Sequence, residues 1–253
     1  MRPRFAGKVV LITGGTGAIA AATALAFSRE GATVVLTGRD GGRAAEAARR
    51  VTADGGRADS LAADVTRPAD AAAMVAATVE RHGRLDIAFN NAGVFTAPAP
   101  VADLDPAAWA TAMDVNLTGV FLSMKYEIAH MAAAGGGVIV NASSNIGAHT
   151  RRPGLSAYAA SKAGVSALTG TAAREYIAQG VRINAVSPGA SDTPMSYRPG
   201  ESRADRDARI GSAVPAGRVS DPAEVAAAVT WLACDDAGFV VGADLVVDGG
   251  ATA

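Results

Sequence analysis

Short apolar runs alternate with longer helical stretches along the whole chain. Lys8–Thr13 (Lys-Val-Val-Leu-Ile-Thr) is the first run; it ends in glycines and leads into an alanine-rich helical stretch to Arg29. Thr33–Leu36 and Arg43–Ala53 repeat the pair. The alternation continues through Leu61–Ala63, Ala69–Arg81, Leu85–Phe89, Ala107–Ala133, Val138–Ala142, Ser156–Gln179, Val181–Val186, Pro222–Ala233 and Leu245–Val247. Runs that are apolar throughout, rather than at every second residue, suit strands covered on both faces. Strand and helix in strict alternation predict an α/β fold: a doubly wound parallel sheet with helices on both faces. No linker, charge block or internal repeat divides residues 1–253, so one domain is expected.

Composition narrows the partners. The 253 residues are 49% hydrophobic and 19% charged, in keeping with one large α/β domain. A formal net charge of −1 gives no electrostatic reason to expect nucleic acid or an anionic membrane surface. Cys234 is the only cysteine, which excludes an internal disulfide and a cysteine-rich metal site, and no metal is expected. No apolar stretch reaches membrane-spanning length and Met1–Gly7 has no apolar signal core, so a cytoplasmic location is expected. Arginine greatly outnumbers lysine, whose only copies are Lys8, Lys125 and Lys162.

Candidate chemistry gathers at three places. The first strand–turn–helix reads Thr13-Gly14-Gly15-Thr16-Gly17-Ala18-Ile19-Ala20. Glycines there permit a tight turn and close approach of a pyrophosphate to a helix N-terminus, as in Rossmann-type dinucleotide folds. The second run ends Leu36-Thr37-Gly38-Arg39, near the place where such folds meet the adenosine ribose. Gly38 leaves room and Arg39 offers a planar donor suited to a 2′-phosphate, which favours NADP(H) with NAD(H) possible. The alternative is a solvated loop arginine paired with Asp40. The third place is Tyr158-Ala-Ala-Ser-Lys162, whose tyrosine and lysine share one helix face. A lysine ammonium lowers a phenol's pKa toward the working range, although many helices carry such a pair on their surface. Ser144 follows the apolar run Gly137–Ala142, where a hydroxyl can be aimed at a substrate oxygen.

With these residues in place, the chain resembles the short-chain dehydrogenase/reductase family over nearly its whole length. The matching motifs are Thr13–Ala20, Ala63-Asp64-Val65, Asn90-Asn91-Ala92-Gly93, Asn116, Asn141–Ser144, Tyr158–Lys162, Asn184–Gly189, Thr193-Pro194-Met195, Gly217-Arg218 and Val247–Gly250. The resemblance implies that Tyr158 exchanges a proton with the substrate oxygen and Ser144, rather than Ser143, polarises that oxygen. It implies that Lys162 depresses the tyrosine pKa and binds the nicotinamide ribose, and that Asn116 holds a water linking Lys162 to solvent. Cofactor contacts are implied for Gly14, Thr16, Gly17, Ile19, Gly38, Arg39, Asp64, Val65, Asn91, Ala92, Gly93, Tyr158, Lys162, Pro188, Gly189 and Thr193. In one respect the chain departs from the family's short branch. Its Thr-Gly-x-x-x-Gly-x-Gly pattern would require glycine at Ala18 and Ala20, which puts the turn's geometry and the cofactor affinity in question.

Other features have plainer expectations. Trp109 and Trp231 are read as packing residues, Cys234 as a buried or helix-end thiol, and His82 and His130 as surface helix residues. His149, Arg151 and Arg152 lie in the loop between Ser144 and Tyr158, where the resemblance implies substrate. Ser196–Ser212, rich in Arg, Asp and Glu, resembles the family's mobile lid, expected around 190–216, or else is a solvated face. The apolar residues Val120, Phe121 and Met124, with Val165, Leu168 and Ala172, suggest helices that pair between subunits, and a homotetramer is expected.

The expected function is an NADP(H)-dependent oxidoreductase interconverting a ketone and a secondary alcohol. A 3-oxoacyl-carrier-protein reductase and an NAD-linked alcohol dehydrogenase are alternatives, as is a non-catalytic cofactor sensor. Met131–Gly137 contains no Lys or Arg to dock an acidic carrier, which favours a small free ketone. Asn116, Ser144, Tyr158 and Lys162 together favour an enzyme over a sensor.

Overall fold

β1 (Val9–Thr13) is buried at every position, because successive side chains point to opposite faces and both faces are covered. Val10 and Ile12 enter one core, packed with Ala20, Ala24 and Phe27 of α1 (Ala18–Arg29) and Val225, Val229 and Leu232 of α8 (Pro222–Ala233). Val9 and Leu11 enter the other. There they meet Met74 and Val75 of α3 (Pro68–His82), Val120, Met124 and Ile128 of α5 (Gly119–Ala133), and Val165 of α6 (Ser156–Tyr176).

The remaining strands are β2 (Thr33–Gly38), β3 (Arg57–Ala62), β4 (Ile87–Asn90), β5 (Gly137–Ala142), β6 (Val181–Pro188) and β7 (Asp244–Val247). In this computed structural model, which describes residues 3–253, the sheet runs β3-β2-β1-β4-β5-β6-β7, every pair parallel. α2 (Gly41–Ala53), α4 (Pro106–Met113) and α7 (Arg203–Gly211) complete the helices. The strand order reverses between β1 and β4. That switch point opens a crevice at the carboxyl ends of the strands, where doubly wound sheets bind ligands.

The sheet's edge explains one difference from the sequence pattern. β3 begins at Arg57 rather than Leu61, and none of its residues is fully buried. With one neighbour instead of two, the strand needs no continuous apolar run.

The stretch expected as one helix over Ala107–Ala133 is three pieces. A π-helical turn over Asp114–Thr118 joins α4 to α5 and buries Asn116 completely. The Gly119 amide bonds back to the Asp114 carbonyl, five residues away. Such one-turn expansions are a recurrent feature of functional sites.

Several surface expectations change. Trp109 and Trp231 are exposed rather than packed. Val120, Met124, Val165 and Ala172 are buried in the chain's own core, while Phe121 stays exposed. The polar stretch after Thr193 is not merely a solvated face. Arg206 of α7 is fully buried, bonding Ser196 Oγ and Asp192 Oδ1 at 2.9 Å each, with its guanidinium 4.5 Å from the Tyr197 ring centre. Cys234 is buried at the end of α8. His82 is partly buried against Asp59, 3.4 Å away, and no described helix is long and apolar enough to cross a membrane.

Candidate active site

The turn after β1 owes its shape to Gly14. Its φ is +63°, a region that side chains rarely adopt, and a Cβ there would sit 2.7 Å from Ala92 Cα. Asn91 closes the turn from the next strand, its side-chain amide donating to the Thr13 and Gly14 carbonyls at 3.2 Å. The Ala92 amide donates to Thr13 Oγ1. α1 starts at Ala18 with Gly17 as its cap, and no side chain satisfies its leading amides. Free amides and the helix dipole make that end a natural seat for a phosphate. Ala20 is completely buried in the core with Phe27 and Leu36. Thr16 is exposed beside the turn and Ile19 packs partly on the core.

At the end of β2, Arg39 is exposed, whereas Asp40 is occupied as the cap of α2, accepting the Arg43 amide at 3.0 Å. Arg39 makes no ion pair among the described residues. The pairing with Asp40 left open by the sequence is absent. Asp64 accepts from the Thr66 amide and hydroxyl through one oxygen, and Val65 packs on Gly119 of α5. A glycine turn without room for a Cβ, an uncapped helix start and an unpaired arginine at the ribose corner together fit a dinucleotide.

Across the crevice, Ser144, Tyr158 and Lys162 come together from β5's exit and α6. The Ser144 hydroxyl lies close enough to the Tyr158 phenol to influence its ionisation, and it accepts from the Ile146 amide at 3.1 Å. Burial pushes the phenol's pKa up, and the neighbouring serine hydroxyl acts the other way by favouring the phenolate. Lys162 is buried, donates to the Ala142 carbonyl at 2.7 Å, and lies 5.9 Å from the Tyr158 ring centre. Burial lowers its pKa to about 8. Burial is the largest influence on both groups.

Ser143 faces away from Tyr158: its hydroxyl donates to the Lys162 carbonyl and meets the Ser166 hydroxyl, each at 2.9 Å. The two adjacent serines have separate surroundings, as alternation along an extended segment requires.

Asn116 is occupied in a way the sequence did not indicate. Its side chain pairs with both backbone groups of Val94, at 2.7 and 3.0 Å, and donates to Ser161 Oγ. It fixes the segment after Asn91-Ala92-Gly93, and a Cβ at Gly93 would lie 3.7 Å from Lys162 Nζ. On the far side, Pro188 accepts the Asn145 amide, the Gly189 amide donates to Val247, and Thr193 accepts from Ser196.

Three neighbours escaped the sequence reading. Phe95, partly exposed, packs on Tyr158 with ring centres 5.0 Å apart; its signal was an aromatic just past the Asn-Asn-Ala-Gly motif. Asn145 is buried between Pro188 and Asp248. Asp244 accepts from Ser187 Oγ and Ser166 Oγ and lies 3.0 Å from His149 Nε2. His149 is therefore held against β7, while Arg151 and Arg152 remain exposed.

Comparison with known proteins agrees with this arrangement. Residues 15–252 match the family model described as enoyl-(acyl carrier protein) reductase. The chain is 44% identical to a cis-4-hydroxycyclohexanecarboxylate dehydrogenase from Sinomonas cyclohexanicum, covering 100% of both chains. It is 39% identical to a cyclohexanol dehydrogenase from Acinetobacter sp. (strain SE19), covering 100% of this chain and 98% of that one. Among solved structures, levodione reductase superposes with a TM-score of 0.92 at 36% identity, over 98% of this chain and 99% of the other.

The two serines are separable by experiment. Ser144→Ala should cut turnover about a hundredfold or more while leaving Tm unchanged. Ser143→Ala should lose about 1 kcal/mol of stability and keep kcat within about twofold. Steady-state rates and thermal melts of both variants check this; an inactive Ser143→Ala with unchanged Tm would reverse the assignment.

Proposed function

We propose that this chain, which belongs to the short-chain dehydrogenase/reductase family and acts on CH–OH and C=O groups with NAD(P)(H), interconverts a small cyclic ketone and its secondary alcohol, preferring NADP(H). The observation that carries this reading is the meeting of the Ser144 hydroxyl, the Tyr158 phenol and buried Lys162, set beside the partly exposed Phe95 ring. An aromatic wall next to the proton donor suits a compact apolar ring. The named activities of the two relatives, both on cyclohexane rings, support the same substrate class. The absence of Lys and Arg from Met131–Gly137 argues against a carrier-bound thioester.

The bound nicotinamide supplies or accepts the hydride. In the direction of reduction, Tyr158 gives its proton to the carbonyl oxygen, and Ser144 donates a hydrogen bond to the same oxygen. Burial holds the phenol protonated until substrate charge develops, which suits a general acid. Lys162 carries its ammonium close behind, where it stabilises the phenolate left after transfer and binds the nicotinamide ribose. Asn116 holds the Val94 segment next to Gly93, a residue close to that lysine. Oxidation of an alcohol runs the same path backwards, with Tyr158 as base.

Residues 190–216 serve as the substrate lid in this reading. Arg206, held by Asp192 and Ser196, ties α7 to the strand exit that also carries Thr193. Association as a homotetramer is also proposed. Trp109 and Phe121 leave apolar surface on one side of the sheet, while Trp231, Phe239 and Val241 leave it on the other. Two separate self-complementary faces generate a closed tetramer. Light scattering at micromolar concentration should give four times the protomer mass, and a monomer mass would refute it.

A panel of cyclic and open-chain ketones and alcohols, assayed with both cofactors by nicotinamide absorbance, tests the substrate class. Turnover confined to acyclic thioesters would overturn it. Tyr158→Phe should lower turnover at least about a hundredfold and leave cofactor binding nearly intact. Lys162→Ala should weaken both; an unchanged cofactor Kd there would remove the ribose contact.

Arg39 tests the cofactor preference. Arg39→Ala should raise KM for NADPH about ten- to a hundredfold, the worth of a hydrogen bond to a charged group, and leave NADH nearly unaffected. The effect should shrink with added salt, because Arg39 is exposed. Equal efficiencies with both cofactors, unmoved by the substitution, would return the preference to undecided.

A further inference from the structure

Glu127 lies on the inner face of α5 with no exposed surface, and it takes part in no salt bridge among the described residues. One of its oxygens accepts from Asn90 Nδ2 at 2.9 Å. Asn90 gives its other amide hydrogen to Asn141 Oδ1 at 3.0 Å, and Asn141 Nδ2 reaches Thr169 Oγ1 at 2.9 Å. All four side chains are buried. Two acceptor oxygens of this cluster, Glu127 Oε1 and Asn90 Oδ1, have no hydrogen-bond partner.

The arithmetic of donors and acceptors decides the state of the carboxyl. An ionised carboxylate adds only acceptors, leaving both oxygens orphaned and a buried charge uncompensated. A proton on Oε1 converts one orphan into a donor and removes the charge. The surroundings offer no cation instead. Lys125 on the same helix is exposed over the Tyr126 ring, and His130 is only partly buried. From α3, the facing residues are Met74, Val75 and Thr78; from α6, Val165, Thr169 and Ala172. The buried cations of the packed elements point elsewhere. Lys162 on α6 bonds Ala142, and Arg182 on β6 bonds the Leu232 and Cys234 carbonyls.

The cluster sits at a place where position matters. Asn90 and Asn141 are direct partners across β4 and β5. Asn90 is followed by Asn91, which closes the glycine turn, and Asn141 by Ala142, whose carbonyl holds Lys162.

We propose that Glu127 is a positioning residue that works as a neutral carboxylic acid, locking the exits of β4 and β5 through Asn90 and Asn141 so that Lys162 and the Asn91–Gly93 segment keep their working geometry. Burial pushes its pKa up to about 7, with the Asn90 bond acting the other way. Because the folded value lies above the ordinary 4.5, the folded state holds the proton more tightly. Stability from this group is therefore greatest below that ordinary value, declines as pH rises toward about 7, and is level above it. Only the rate arm of the test rests on the oxidoreductase reading; melting and infrared measurements report on Glu127 without substrate.

Glu127→Gln keeps the shape, supplies the missing donor and cannot ionise. Its Tm should match the wild type's below the ordinary value of 4.5, exceed it by a margin that grows as pH rises to about 7, and hold that margin above. The ratio of kcat/KM, variant over wild type, should rise at least about threefold between pH 6 and 9, inside the hundredfold that a 1 Å misplacement costs. Tyr158 and Lys162 titrate in both proteins and cancel in that ratio. Infrared spectra of the wild type alone should show a buried protonated-carboxyl band at pH 6 that fades by pH 9, which keeps the test open if the variant fails to fold. A Tm difference and rate ratio that do not change with pH would overturn the proposal, as would absence of that band. A Tm difference that follows pH while the rate ratio stays flat would reduce Glu127 to a packing role.

Discussion

An amine buried under a single carbonyl is the constraint around which the rest is arranged. Lys162 has almost no exposed surface, bonds Ala142, and has no carboxylate beside it among the described residues. Burial alone disfavours its charge, which is why its pKa falls to about 8. A group held in so unfavourable a state needs firm surroundings. They are supplied from both ends. Ser143 grips the lysine's own backbone carbonyl, Ser166 and Asp244 back up Ser143, and Asn116 holds the Val94 segment in front. The half of α6 that carries Tyr158 and Lys162 is thereby fixed to β5, β7 and the π turn at once.

Much of the frame was legible in the chain. Continuous apolar runs gave five of the central strands their places because both sheet faces are covered there, whereas their order, and with it the switch point, is set by the fold. Gly14 could be read from sequence because its requirement is local: a turn, a positive φ and a close neighbour. The pair Tyr158 and Lys162 could be read because helical spacing alone puts them on one face. β3 was read too short, since an edge strand carries Arg57, Asp59 and Ser60 without penalty.

What stayed hidden depends on contacts distant in sequence. Nothing local about Asp244 announces that it collects His149, Ser166 and Ser187, the first of them 95 residues away. Arg206 stands in a run of charged residues whose pattern reads as solvated, yet Asp192 and the Tyr197 ring enclose it. Glu127 lies on a helix beside Lys125 and looks like a surface residue until the strand exits are laid against it. In each case a polar side chain is buried because the fold provides partners, and no periodicity encodes those partners.

The π turn between α4 and α5 works as a phase shifter. In an ideal α-helix each residue advances by about 100°, so one additional residue within a turn rotates everything beyond it by that angle. Without the expansion at Asp114–Thr118, Asn116 and the inward residues of α5 could not both face the molecule's interior. The length of this short stretch is therefore a mechanical setting. Trimming one residue here would turn Val120, Met124 and Glu127 toward solvent together, whereas the same deletion in an outer loop would be absorbed locally. A segment of five residues in this way sets the angular alignment between its own Asn116, which supports Val94, and the helix that buries the carboxyl behind both strand exits.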